Sequence, residues 1–150
     1  MQIRPMDVRD HNDVLALVNE LTAFHGDVGA ITYDTLVRDA AGPAPWVHVL
    51  VAEDDTGLIG YAALVPKLRF HDGERSMDLH NLHVIATMRG KGIGRALIDA
   101  SAAHARKLGC AVIWIGTDPK NFNAQNMYLH YGFERCDAIN PRFRLTLGKE

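Results

Sequence analysis

Val14, Leu17, Val18, Leu21 and Phe24 recur at three- and four-residue intervals, which predicts a helix with one apolar stripe. Asp10 precedes this pattern and Gly26 follows it as a stop. Ahead of the helix, residues 2–4 alternate in the manner of an edge strand. Thr32 reads as the N-cap of a second, short helix that reaches about Ala40. Gly42-Pro43-Ala44-Pro45 then breaks it.

The period changes in the middle of the chain. Residues 47–53 and 58–65 are rich in strand formers, and Asp54-Asp55-Thr56-Gly57 joins them as a hairpin turn. A third strand is expected over about 76–84, after a loop that carries Asp72-Gly73. Short loops between three successive strands imply an antiparallel meander. Helical spacing returns with Ile93, Ala96, Leu97, Ala100 and Leu108, and Gly109 ends that helix. Residues 111–117 form a short, mostly apolar run, expected in a sheet covered on both faces. A helix over 123–131 stops at Gly132, and the alternating Phe143, Leu145 and Leu147 predict a last strand over 143–147. The expected fold is a single α/β domain over residues 1–150, with a mixed sheet and helices on its faces.

Composition is that of an ordinary globular chain: 150 residues, 47% apolar and 23% charged. The net charge of −2 weighs against non-specific nucleic-acid binding. No apolar stretch approaches the roughly 20 residues that span a bilayer, and the first residues lack a signal-type apolar segment. A cytoplasmic protein with no membrane partner is expected. Cys110 and Cys136 are the only cysteines, too few for a disulfide framework. Neither has an evident activating base beside it in sequence, so both are read as buried, inert thiols.

The segment from Leu82-His83-Val84 to Arg89-Gly90-Lys91-Gly92-Ile93-Gly94-Arg95 runs strand, glycine-rich turn, helix. The first N–H groups of a helix have no partner within it, and with the helix dipole behind them they suit an anion. Arg89, Lys91 and Arg95 add positive charge. The spacing fits neither the P-loop nor the dinucleotide fingerprint. A glycine-rich turn that binds nothing shares this pattern.

Arg89-Gly90-Lys91-Gly92-Ile93-Gly94 resembles the Arg/Gln-x-x-Gly-x-Gly/Ala signature of the GNAT family of N-acetyltransferases. That resemblance implies coenzyme A as ligand, with its pyrophosphate on the turn, Arg89 to Arg95, and its pantetheine arm along Leu82, His83 and Val84. It also implies that the Val84 amide polarises the thioester carbonyl, where negative charge develops. A second stretch, from Asn121 to Phe133, is similar to the family's Asn-x-x-Ala-x-x-x-Tyr followed by x-x-x-Gly-Phe, with Asn121, Ala124, Tyr128, Gly132 and Phe133 in register. There the Asn position bonds the pantetheine arm and Tyr128 protonates the departing thiolate. Taken without the first motif, Tyr128 and Tyr131 read equally as core aromatics of a capped helix.

An amine must lose a proton before it attacks a thioester. His80 is the first candidate base, because imidazole titrates near neutrality, and Asp78 is the second. Strict alternation puts Asp78, His80, Leu82 and Val84 on one face of the strand and Leu79, Asn81 and His83 on the other, unless a bulge intervenes. His80 also reads as a hydrogen-bonded, half-buried histidine. His80 and His83 point to opposite faces on this count, so no metal site is expected.

The N-terminal half, through Asn19-Glu20-Leu21-Thr22-Ala23-Phe24-His25, more loosely resembles the spermidine/spermine branch of the family. That likeness places acceptor contacts at Phe24, His25 and His80. The branch has carboxylates where this chain has His25 and His80, which predicts weak polyamine binding. The expected reaction is direct transfer of acetyl from acetyl-coenzyme A to a small-molecule primary amine. A protein lysine or N-terminal acetyltransferase and a non-catalytic coenzyme A-binding module are the alternatives. Family likeness further implies a homodimer.

Overall fold

The computed structural model describes residues 1–137 and 140–148, and the chain divides into two compact units, Met1–Gly116 and Thr117–Glu150. The first unit holds β1 (Gln2–Pro5), α1 (His11–Phe24), α2 (Tyr33–Ala40), β2 (His48–Asp54), β3 (Gly57–Arg69), β4 (Glu74–Val84), α3 (Ile93–Lys107) and β5 (Val112–Ile115). The second holds α4 (Phe122–Tyr131). Each lies within a few residues of its sequence expectation.

The strands form one sheet in the order β1-β2-β3-β4-β5. The first four pair antiparallel, and β5 joins β4 in parallel, so the sheet is mixed. A parallel partner needs a crossover, which α3 supplies. The period of two in β2 and β3 sends alternate residues to opposite faces. Val49, Val51, Tyr61 and Ala63 meet Val14, Leu17, Leu21 and Leu36 of α1 and α2 in one core cluster. Leu50, Ala52, Ala62 and Leu64 are buried on the other face, which α3 covers with Ile93, Leu97 and Ile98.

Local chemistry explains the boundaries. Thr32 caps α2, its hydroxyl accepting from the Thr35 amide at 3.2 Å. Asp10 precedes α1 but does not cap it; it is buried and accepts both terminal nitrogens of Arg4, at 2.6 and 2.9 Å. Glu53 takes the Arg4 Nε at 2.9 Å, tying β1 to β2.

Two expectations fail here. β5 is not covered on both faces: Val112 and Trp114 are exposed, on a strand whose one neighbour among the described residues is β4. The strand over 143–147 does not form among the described residues, where Phe143, Leu145 and Leu147 are exposed coil. Alternation makes a strand only where a neighbouring strand satisfies its backbone groups.

Candidate functional site

The parallel ladder between β4 and β5 spans only Ser76–Leu79 of β4, against Val112–Ile115. From His80 to Val84, β4 pairs with β3 alone among the described residues. Its other edge therefore presents backbone N–H and C=O groups to a ligand. β3 is held close behind that edge. A Cβ on Gly60 would lie 2.6 Å from the His83 carbonyl oxygen, so only glycine fits there.

β4 carries a bulge at its functional end. Ala63 faces Asn81 and Leu64 faces Leu79, which leaves His80 as the extra residue. The expected parity is thereby corrected. Asp78, Asn81 and His83 oppose Val65, Ala63 and Tyr61 on the α1 face, while Leu79 and Leu82 oppose Leu64 and Ala62 on the α3 face. His80 points outward with its side chain 65% exposed, and its Nδ1 lies 3.6 Å from Asp78 Oδ2. It is therefore neither half-buried nor on one face with Leu82 and Val84.

The glycine-rich turn follows directly. A 3-10 turn at Ala86–Met88 leads to Arg89, and Gly90 and Gly92 both adopt left-handed φ, at 73° and 82°. Gly92 is the N-cap of α3, with no side chain capping it. The chain thus brings the unsatisfied amides of a helix start next to the open strand edge. Arg89 does not reach forward over them; its Nε donates to the Val84 carbonyl at 3.0 Å, and its guanidinium lies over the Phe24 ring, 4.9 Å from the centroid. Lys91 Nζ lies 3.6 Å from Met88 Sδ.

On the α1 face, His83 is 3% exposed, and its Nε2 lies 3.4 Å from Glu20 Oε1. The distance suits a hydrogen bond but the alignment does not, so Nε2 has no hydrogen-bond partner among the described residues. Burial pushes the His83 imidazole below the usual histidine value, aided by Arg89 and His25 and opposed by Glu20. His83 is therefore a neutral ring near pH 7. Tyr61, also buried, donates to Asn81 Oδ1 at 3.4 Å.

In the second unit, Asn121 caps α4, its Oδ1 accepting from the Ala124 amide at 3.1 Å. The Tyr128 ring packs edge-on to Phe133 with centroids 5.9 Å apart, and burial raises its phenol above the usual value. Gly132 ends the helix at φ 120°, so that the Phe133 amide returns to the Tyr128 carbonyl at 3.0 Å. The phenol thus keeps its proton at neutral pH, as a proton donor must.

Residues 14–133 match the model of a family described as the acetyltransferase (GNAT) family. This chain belongs to that family. It is 33% identical over 130 residues to a mycothiol acetyltransferase of Propionibacterium freudenreichii, a match that covers 83% of this chain and 40% of the relative. A further match, 30% identical over 86 residues, is an uncharacterized N-acetyltransferase of Mycobacterium bovis. The chain spans between 40% and 52% of the lengths of these first relatives. An L-methionine sulfoximine/L-methionine sulfone acetyltransferase of Pseudomonas paraeruginosa is 30% identical over 141 residues, covering 88% of this chain and 79% of the relative. The GNAT fold is shared with an aminoglycoside N-acetyltransferase, AAC(6')-Iy, solved in complex with CoA, at TM-score 0.73 and 21% identity over 96% of this chain and 100% of that one.

Two features of this GNAT chain escape its sequence, the Glu20–His83 contact and the Phe24–Arg89 stack, while the bulge allowed for in this strand falls at His80. The spacing of Glu20 and Phe24 on one helix face was the available signal for those two contacts. The thiols also depart from expectation. Cys136 is exposed in coil after α4, and Cys110, just ahead of edge strand β5, is half-buried. No trio of His, Cys, Asp or Glu is placed to hold a metal among the described residues, and no helix there is long and apolar enough to cross a membrane.

Proposed function

We propose that this protein transfers an acetyl group from acetyl-coenzyme A to the primary amine of a small molecule, as a single domain and by direct attack in a ternary complex. The observation that carries this reading is the edge of β4 at His80–Val84, which no strand covers among the described residues, running straight into the Gly92 helix start. An extended amide-bearing arm pairs with such an edge, and a pyrophosphate suits the amides that follow it. Leu82, His83 and Val84 hold the arm, and Gly90, Lys91, Gly92, Ile93, Gly94 and Arg95 surround the phosphates. Family likeness assigns Asn121 and Ala124 to the pantetheine arm of the donor.

The chemistry assigned to the chain is proton transfer. His80, with Asp78 beside it, takes the proton from the attacking amine. The amine nitrogen bonds to the thioester carbonyl carbon, the C–S bond breaks, and Tyr128 gives its proton to the departing thiolate. The Val84 amide stabilises the oxyanion between these steps. Two relatives that match over more than four-fifths of this chain carry names of small-molecule acetyltransferases, which supports a small acceptor. Histidines at 25 and 80 supply no fixed negative charge for a polyamine, so spermidine is a poor substrate in this reading.

The test is the initial rate of coenzyme A thiol release across amino acids and their sulfone analogues, aminoglycosides, spermidine, lysine and short peptides. A responder among the small amines other than spermidine is expected. A response confined to peptides would transfer the assignment to a protein acetyltransferase. Spermidine as the best acceptor would remove the charge argument at His25 and His80.

A further inference from the structure

Glu20 and Phe24 stand four residues apart on α1, so they share one face of the helix. That face borders the apolar stripe of Val14, Leu17 and Leu21 that enters the core, with Phe24 one heptad beyond Leu17 at the exposed end of the stripe. It meets the end of β4 and the turn after it. Glu20 reaches His83, and Phe24 lies under the Arg89 guanidinium. Phe24 remains 62% exposed, so core burial does not account for the ring at this position.

Arg89 is held from two sides, by the Val84 carbonyl and by the Phe24 ring. Both contacts fix the first residue of the glycine-rich turn relative to the strand edge that precedes it. A long side chain left unrestrained loses rotamer freedom when a ligand orders it, and that loss weakens binding. A side chain already stacked has little left to lose. Its positive charge also stays beside the turn.

We propose that Phe24 is a positioning residue for the donor: it holds Arg89, and through Arg89 the Gly90–Gly92 turn, in the conformation that receives acetyl-coenzyme A. This rests on the donor-site reading above. It differs from the expectation that Phe24 touches the acceptor. Because His25 and the segment leading to α2 continue directly from Phe24, the acceptor-side backbone is tied to the donor turn through one ring.

Calorimetric binding of coenzyme A to the full chain tests the proposal without knowledge of the acceptor. Phe24→Ala is expected to weaken coenzyme A by about two- to five-fold, the scale of an exposed cation–π contact. Phe24→Tyr should restore wild-type binding, since it keeps the ring face. In an Arg89→Gln background, Phe24→Ala should cost nothing further. Thermal midpoints of all variants should stay near that of the wild type, as expected for an exposed ring. Unchanged binding in Phe24→Ala, or an equal loss with and without Arg89, would overturn the positioning role while leaving the donor site intact. A wild-type chain that binds no coenzyme A would overturn the donor site, and this role with it.

Discussion

His80 Nδ1 stands 3.6 Å from Asp78 Oδ2 across a bulge that His80 itself creates. The imidazole is exposed, at the point where β4 loses β5 as a neighbour. In the proposed reaction, an exposed imidazole beside the β4 edge is accessible to an amine approaching the donor. Removing it by His80→Ala should lower turnover by about 100-fold, the low end of general-base contributions. Coenzyme A affinity should not move, because a strand edge binds through its backbone and the imidazole is exposed. Asp78→Asn should cost less, since the carboxylate acts through the imidazole. Turnover rates at saturating acetyl-coenzyme A, paired with calorimetry, check both. Full activity in His80→Ala would remove it as the base.

Tyr128→Phe deletes one oxygen from a ring that packs on Phe133 through its edge. The packing survives, so stability should change by less than about 1 kcal/mol. Turnover should fall at least ten-fold if the phenol supplies the proton to the thiolate. The loss should be smaller for an acyl donor whose leaving thiol is more acidic, because that thiolate departs without help. Equal losses for both donors would point to a packing role.

Much of this was legible in the sequence, for physical reasons. Helices were marked by stripes such as Val14-Leu17-Leu21 and by Thr32, Gly109 and Gly132 at their ends, all local signals. The turn from Arg89 to Gly94 was legible because left-handed φ at Gly90 and Gly92 demands glycine. What escaped depends on partners distant in sequence. The bulge allowed for in this strand could not be placed at His80, because its position is a register relation between β3 and β4. Val112 and Trp114 read as buried because an apolar run carries no mark of edge position. Phe143, Leu145 and Leu147 alternate like a strand, but alternation says nothing about whether a neighbour exists.

Gly92 and Gly94 separate backbone need from steric need. A Cβ at either would meet no atom within 4 Å, yet only Gly92 has a left-handed φ. Gly92→Ala should therefore destabilise the protein by about 1 kcal/mol, entirely through backbone strain. Gly94→Ala should be neutral or slightly stabilising, because it lies in the first turn of α3 at ordinary helical geometry. Urea midpoints distinguish them. Equal destabilisation would mean that the turn does not depend on the Gly92 conformation.

His48 of β2 and His104 of α3 meet ring to ring, with Nδ1 and Nε2 3.1 Å apart. Burial lowers both imidazoles from the usual histidine value, and His48 and Lys107 lower His104 further. The contact needs one nitrogen to donate and the other to accept, so a second proton breaks it. With folded values depressed, the unfolded chain binds more protons just below the ordinary value of about 6.5. Stability is then complete above that pH and declines as the pH falls through the window beneath it. His83, also depressed by burial, adds to the same slope. His104→Gln keeps a hydrogen-bonding partner for His48 but does not itself titrate, so it should flatten part of the decline. Urea midpoints at about pH 7.5 and pH 5.5 measure this. Wild-type and His104→Gln chains that lose equal stability over that interval would remove His104 as a source of the acid sensitivity and leave it to His48 and His83.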